Sequence, residues 1–237
     1  MSLKLYGNLV SQPCRAGGRG WVTACTVTVA WLLKTKGVDF ELIFTVPPRN
    51  LSPEFLRLNP NAKVPVLQDG DFSLFESHAI LTYLAEKYKW TDVYPTDLQA
   101  RAKVNEHLHW HHTNTRVGTP KVFAPIMHRS VGKATPEQLA LIPQREENIS
   151  KFVSLLETFL DKPFVAHSEQ PTLADFACYC ELVMYEFMEV FDYTKFPKTH
   201  AWMLRMKALP YHDDVHEPVK EVLAKFKILP VPQELLE

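Results

Sequence analysis

The sequence lacks an excess of either charge: its 237 residues hold 26 Lys and Arg against 27 Asp and Glu, a formal net charge of −1. Nucleic acid and anionic membrane surfaces are recognised by basic stripes, so neither is expected as a main partner. Cysteine is scarce as well. Cys14, Cys25, Cys178 and Cys180 form no Cys-x-x-Cys pair, which removes the disulfide scaffold and weakens the zinc-ribbon and dithiol-redox readings. Long apolar runs are missing. The most apolar stretch, Trp21–Leu33, is interrupted by threonines and falls short of the roughly 20 residues that cross a bilayer. Met1–Pro13 holds one lysine and too short an apolar stretch for a signal peptide. A soluble protein in a reducing, cytoplasmic setting is the expectation. Internal repeats and low-complexity tracts are absent.

What is present is ordinary globular material, with 46% hydrophobic and 22% charged residues, enough to build a core and too apolar for disorder. The length suits one large domain or two small ones, at roughly 100–200 residues per domain. The chain changes style along its length. Residues 1–89 alternate short β-rich runs with helical patterns: Leu3–Tyr6 as strand, Val29–Lys36 as helix stopped by Gly37, and Phe40–Val46 as strand ended by Pro47-Pro48. Ser52–Leu58 reads as a short helix with Ser52 as N-cap and Pro53 at its first position. Val64–Leu67 and Phe72–Phe75 flank the hairpin signal Asp69-Gly70. Ser77–Tyr88 reads as an amphipathic helix with Ile80, Leu81 and Leu84 on one face. The order β-α-β-α-β-β-α suits a small sheet layer with helices packed on it. Residues 90–97 read as a linker. From 98 to 237 the pattern is helical, with segments near 97–128, 136–161, 172–190, 197–208 and 214–227 separated by prolines.

Several residues carry chemistry by their placement. Pro65 offers no N–H to a sheet, so it belongs at a strand start or an edge. Glu76 and Ser77 stand where strand gives way to helix, and a helix N-terminus presents unpaired N–H groups and a partial positive charge. Ser77 can cap that helix and hold a carboxylate, while Glu76 can pair with an amine. Thr172 and Asp175, in Pro-Thr-Leu-Ala-Asp-Phe, form a capping box for a buried helix.

Residues 58–88, LNPNAKVPVLQDGDFSLFESHAILTYLAEKY, together with SQPCRA at Ser11–Ala16 and LQARAKVNEHLHWHHTNTR at Leu98–Arg116, resemble the cytosolic glutathione transferases, and in particular their theta class. The resemblance covers nearly the whole chain. It implies an N-terminal thioredoxin-like α/β domain over 1–89 that binds glutathione and an all-helical domain over 98–237 that supplies apolar walls for a small hydrophobic electrophile. It also implies a homodimer with glutathione as co-substrate and no further cofactor. Pro65 is then a cis proline, and Val64 pairs with the cysteinyl part of glutathione by strand addition. Glu76 and Ser77 match the zwitterionic γ-glutamyl end. Lys63 and Asn50 are candidates for the glycine carboxylate, with a solvated loop as the alternative. Asn50 stands where theta-like sequences often carry histidine. Ser11 is the catalytic candidate, donating a hydrogen bond to the glutathione sulfur and lowering its pKa from about 8.5. Arg116 is the second, as a cation near the thiolate, with a surface arginine as the alternative.

The pattern is interrupted by Gly17–Thr28, GGRGWVTACTVT, which opens with glycines where the first helix should run. Three readings stand: a loop over the active site, an N-terminal extension of the helix, or an in-frame retained intron or gene-model error. Each bears on whether Ser11 keeps its place. Cys14 offers a rival chemistry, thiol transfer with glutathione, and a non-catalytic ligand- or protein-binding module is a third possibility. His107/His111 and His212/His216 each have i, i+4 spacing. Neither pair has a third ligand at a matching offset, so no metal is expected, and His111 and His112 are read as lining the cleft or a dimer face. Cys178 and Cys180 are read as core residues. The proline-broken tail 228–237 is expected to leave the pocket open.

Overall fold

The structure, a computed structural model, describes residues 3–8 and 24–226. Ser11, Cys14, residues 17–23 of the interruption and the tail 228–237 lie outside them. The N-terminal elements are β1 (Leu3–Gly7), α1 (Ala24–Thr35), β2 (Phe40–Phe44), α2 (Pro53–Leu58), β3 (Val66–Asp69), β4 (Phe72–Phe75) and α3 (Ser77–Lys87). Their sheet has the order β2-β1-β3-β4. β1 runs parallel to β2 and antiparallel to β3, which pairs antiparallel with β4 across the turn at Gly70 and Asp71. A mixed sheet of this connectivity, with α1 and α3 packed together, is the thioredoxin-like arrangement.

The first helix begins earlier than the pattern Val29–Lys36 predicts. Ala24–Thr28, the last part of the interruption, belongs to α1, and Ala24, Thr26, Val27 and Thr28 are buried. Thr26, Val27, Thr28 and Val29 are poor helix formers, but packing overrides propensity because α1 contacts α3, α8 and α10. A helix covered on most sides shows no single apolar stripe, which is why its start is hard to read. Gly7 sets the approach of α1 to β1: a Cβ there would stand 2.3 Å from Thr26 Cγ2. The helix ends in a turn where Gly37 takes a φ of +64° and Val38 N–H reaches the Leu33 carbonyl, as glycine allows after a C-terminus.

The remaining elements are α4 (Leu98–Thr113), α5 (Ala124–Ser130), α6 (Pro136–Leu141), α7 (Arg145–Phe159), α8 (Leu173–Phe187), α9 (Pro197–Lys207) and α10 (His212–Leu223). The helical pattern near 97–128 is broken in the structure. Asn114 ends α4, its side chain donating to the Trp110 carbonyl at 3.0 Å, and a 3-10 turn Thr115–Val117 and a π turn Thr119–Phe123 follow. The pattern near 136–161 also divides, into α6 and α7. The central helix α8 is buried along almost its whole length. The Asp175 carboxylate accepts from Thr172 N–H at 2.7 Å, Thr172 Oγ1 at 2.8 Å, Val165 N–H at 2.9 Å and Trp202 Nε1 at 2.9 Å. Burial pushes its pKa up to about 6, against the pull of these donors.

The two units share one core. Trp31 of α1 is fully buried and its Nε1 donates to the Pro210 carbonyl at 2.9 Å. Its ring meets Phe176, Tyr179, His212 and His216 at centroid distances of 4.7, 5.5, 5.6 and 4.9 Å. Truncating a buried tryptophan costs about 3–5 kcal/mol, so this one side chain is a substantial part of what holds the units together. Cys178 and Cys180 are buried in α8, where burial raises both thiols above their ordinary range.

Candidate functional site

A cavity of about 200 Å³ opens where the units meet, lined by Cys25, Asn59, Lys63, Val64, Pro65, Glu76, Ser77, His78, His111, His112 and Arg116. Four pieces of chain supply it: the first turn of α1, the loop before β3, the junction of β4 with α3, and the end of α4 with the turn beyond.

The loop is shaped by amides. Asn59 Nδ2 donates to the Lys63 carbonyl at 2.8 Å, and Asn61 N–H donates to Asn59 Oδ1 at 3.0 Å. Asn50 Nδ2 donates to the Ala62 carbonyl at 2.8 Å. Asn50 therefore braces the loop and is not among the described residues that line the cavity, and its buried Oδ1 has no partner among the described residues. The Val64-Pro65 peptide is cis. Pro65 immediately precedes β3, so its missing N–H falls outside the ladder.

Glu76, between β4 and α3, has a φ of +72°. For a residue with a Cβ that conformation costs on the order of 1–3 kcal/mol, and such strain gathers at functional sites. It turns the chain so that Ser77, buried, opens α3. The free N–H groups of the first turn and the Ser77 hydroxyl then sit beside the exposed Glu76 carboxylate, a pairing suited to a ligand with adjacent carboxylate and ammonium groups.

Arg116 lies on the 3-10 turn after α4. It forms an ion pair with the buried Glu181 carboxylate of α8, and Thr119 Oγ1 donates to the same carboxylate at 3.2 Å. The Glu181 charge holds Arg116 protonated, its pKa raised above the usual guanidinium value. Two residues on, Gly118 leaves room for Tyr185, whose hydroxyl would lie 2.0 Å from a Cβ there. Arg116 Nη1 also donates to Cys25 Sγ at 2.6 Å. Burial nonetheless raises the Cys25 thiol above its ordinary value, with Arg116 and Ser77 pulling it down and Glu181 pushing it up.

Three histidines complete the wall. Burial, with His112 and Arg116 nearby, pushes His78 down to about 3. Burial, with His78 and Arg116 nearby, holds His111 well below its ordinary value. Both imidazoles are therefore neutral at pH 7. His107 packs its ring on Phe159 at 5.0 Å and shares no ligand position with His111. His212 meets the Tyr179 hydroxyl at 2.7 Å, and His216 Nδ1 donates to the His212 carbonyl at 2.9 Å, so that pair belongs to the core around Trp31.

The structure thus gathers Lys63, Val64, Pro65, Glu76, Ser77 and Arg116 around one space and sets Asn50 behind it; Ser11 lies outside the described residues. Sequence reasoning passed over Cys25, Asn59 and His78 as site residues. Asn59 had a signal in Asn-Pro-Asn directly after α2, and His78 in following the Glu-Ser pair. Cys25 had none, because it lies in the interrupting segment.

Comparisons with known proteins bear on this geometry. The family model for the glutathione S-transferase N-terminal domain matches residues 19–86, and that for the C-terminal domain matches residues 116–210. Curated relatives include glutathione S-transferase T1 of Arabidopsis thaliana, 34% identical with 96% of this chain and 93% of the relative covered. Rat glutathione S-transferase theta-2 is 36% identical, with 98% and 93% covered, and human theta-1 is 35% identical, with 97% and 92% covered. Among solved structures, human theta-2 in complex with glutathione and an unknown ligand superposes with a TM-score of 0.79 at 30% identity, covering 99% of this chain and 95% of that one.

Proposed function

Because the chain belongs to the glutathione S-transferase family, with theta-class relatives over nearly its whole length, and is a transferase of that type, we propose that the cavity is its glutathione site and assign roles to its residues. Lys63 pairs with the glycine carboxylate as a point charge. The Val64 backbone pairs with the cysteinyl unit as an added strand, with Pro65 closing the β3 end. Glu76 takes the γ-glutamyl ammonium, and Ser77, by hydroxyl and N–H, takes the γ-glutamyl carboxylate. Asn50 acts through the loop it braces and not on the ligand. Arg116, fixed by Glu181, faces the sulfur and lowers the cost of its thiolate, which then attacks a small hydrophobic electrophile or a peroxide oxygen. Ser11 is proposed from its motif alone as the hydroxyl donor to that thiolate.

The observation that carries this reading is the convergence of Lys63, Val64, Glu76, Ser77 and Arg116 on one cavity. Thiol transfer through a protein cysteine is the weaker reading. Cys14 lies outside the described residues, and the one cysteine among the described residues that lines the cavity, Cys25, has a thiol whose pKa burial raises. No described helix is long and apolar enough to cross a membrane. We propose that the enzyme acts in cytoplasmic detoxification with no cofactor beyond glutathione, and that the boundary between its domains falls at 90–97. We propose a homodimer, for which exposed Leu56 of α2 and Phe72 of the neighbouring β4 offer apolar surface.

The test is calorimetric titration of glutathione into the parent and Ser77→Ala, with turnover measured on aryl halides, alkyl halides, isothiocyanates and hydroperoxides. Loss of a charge-assisted contact worth about 1.5–3 kcal/mol is expected in the variant. Equal affinity in both proteins removes the site assignment.

A further inference from the structure

We propose that His78, His111 and His112 form a binding site for one divalent transition-metal ion of the zinc class, on the wall of the cavity. One ring nitrogen from each of the three lies within 4.8 Å of the other two. The rings are clustered as well, His78 standing 4.8 Å from His111 and 4.5 Å from His112 between centroids. His78 comes from the first turn of α3, and the other two from the last turn of α4.

The second observation is what these nitrogens lack. His78 and His111 are 9% and 3% exposed, yet His78 Nδ1 and both ring nitrogens of His111 have no hydrogen-bond partner among the described residues. Buried imidazoles are ordinarily satisfied by protein or water. Here the unpaired nitrogens belong to side chains that line a cavity.

The donor set selects the ion. Three imidazoles suit zinc, copper, nickel or cobalt, whereas calcium and magnesium require oxygen. Ligand nitrogens about 3.3 Å apart fit a tetrahedral ion with bonds of about 2.0 Å. The exposed His112 side chain is the one that would turn to close the remaining distance. Three protein ligands leave a fourth position open toward the cavity, as in catalytic zinc sites. The nearby Arg116 charge is offset by Glu181, and Glu76 adds a carboxylate to the same space. Nothing in this site depends on glutathione binding there.

The experiment uses the full chain, stripped with a chelator and desalted. Co²⁺ is titrated while the visible band of four-coordinate cobalt is followed, and Zn²⁺ is measured by competition with a chromogenic chelator. We expect one ion per chain and a band that Zn²⁺ displaces. His112→Ala, at an exposed position, should weaken both metals by roughly tenfold or more with an unchanged circular dichroism spectrum, and His111→Gln should do the same. The exposed His109 and His167 serve as controls, and their alanine variants should bind as the parent does. Absence of the band, binding retained in a folded His112→Ala, or equal losses in the control variants would overturn the site.

Discussion

At Glu76 one residue performs two tasks that substitution can separate. Its side chain is proposed to hold an ammonium, and its backbone, at a φ of +72°, bends β4 into α3. Glu76→Ala removes the first and keeps the second, so glutathione affinity should fall by about tenfold to a hundredfold, the equivalent of about 1.5–3 kcal/mol. Glu76→Gly removes the same charge but relieves strain on the order of 1–3 kcal/mol. It should therefore bind as poorly as the alanine variant while melting no earlier than the parent. Calorimetric titration and thermal melts of the two variants side by side check this, and a glycine variant that melts well below the parent would show that the strain is misread. Arg116 raises a similar question through its anchor. Glu181→Gln keeps the shape of the buried partner but removes its charge, leaving the guanidinium partly desolvated. The thiol pKa of bound glutathione should then shift and turnover change with little effect on affinity, as a pH–rate profile would show. An unaltered profile would place Arg116 outside the chemistry.

Among the elements, what could be read in advance follows a physical rule. Segments with one wet and one dry face announce themselves, so α3 was legible from Ile80, Leu81 and Leu84, all fully buried. α2 was legible from Ser52, whose hydroxyl accepts from Phe55 N–H at 3.2 Å, with Pro53 behind it. The Asp69-Gly70 turn and the Thr172–Asp175 cap were legible from local chemistry as well. The start of α1 was not, because Thr26–Val29 are β-branched and become helical only through contacts from α8 and α10 that no local pattern encodes. The break at Asn114 was likewise hidden, since a helix-like pattern runs on past it and the space beside the turn, where a Cβ at Gly118 would meet the Tyr185 hydroxyl, is set by a distant helix. The cavity residues Asn59, Lys63, Val64, Pro65, Glu76 and Ser77 fall in the contiguous stretch 58–88, and five of them were readable from it, Asn59 excepted. The histidine cluster is assembled from α3 and α4, and spacing along either helix alone could not show it. Gly7→Ala tests the account of α1. A Cβ at 2.3 Å from Thr26 must push the helix from the sheet, at a typical overpacking cost of about 1–3 kcal/mol. Urea unfolding measures it, and a neutral substitution would mean that α1 does not bear on β1 at that point.

For the whole molecule, histidines set the acid limit of stability. His78 and His216 are pushed down to about 3, and His107, His111 and His212 are also lowered, burial being the first cause in each. In the unfolded chain they titrate near 6.5. Between pH 6.5 and about 3 the unfolded state therefore binds protons that the folded state refuses. Stability is full above about pH 6.5 and is lost as pH falls, by about 1.4 kcal/mol per pH unit down to about pH 3 for each of His78 and His216. Urea unfolding at pH 7, 6 and 5 should show this slope. His216→Gln, which keeps an N–H donor without a titrating ring, should lessen it by one histidine's share, and an undiminished slope would exclude His216 as a contributor. The position of Trp31 has a consequence of another kind. An aromatic plug carried by the sheet unit sits in a socket of Phe176, Tyr179, His212 and His216, with its N–H on the Pro210 carbonyl. The two units are thus not interchangeable parts. A sheet unit borrowed from another chain fills this socket only if it brings a ring and a donor to the same place, so exchange of halves is restricted by a joint that is not part of the cavity lining.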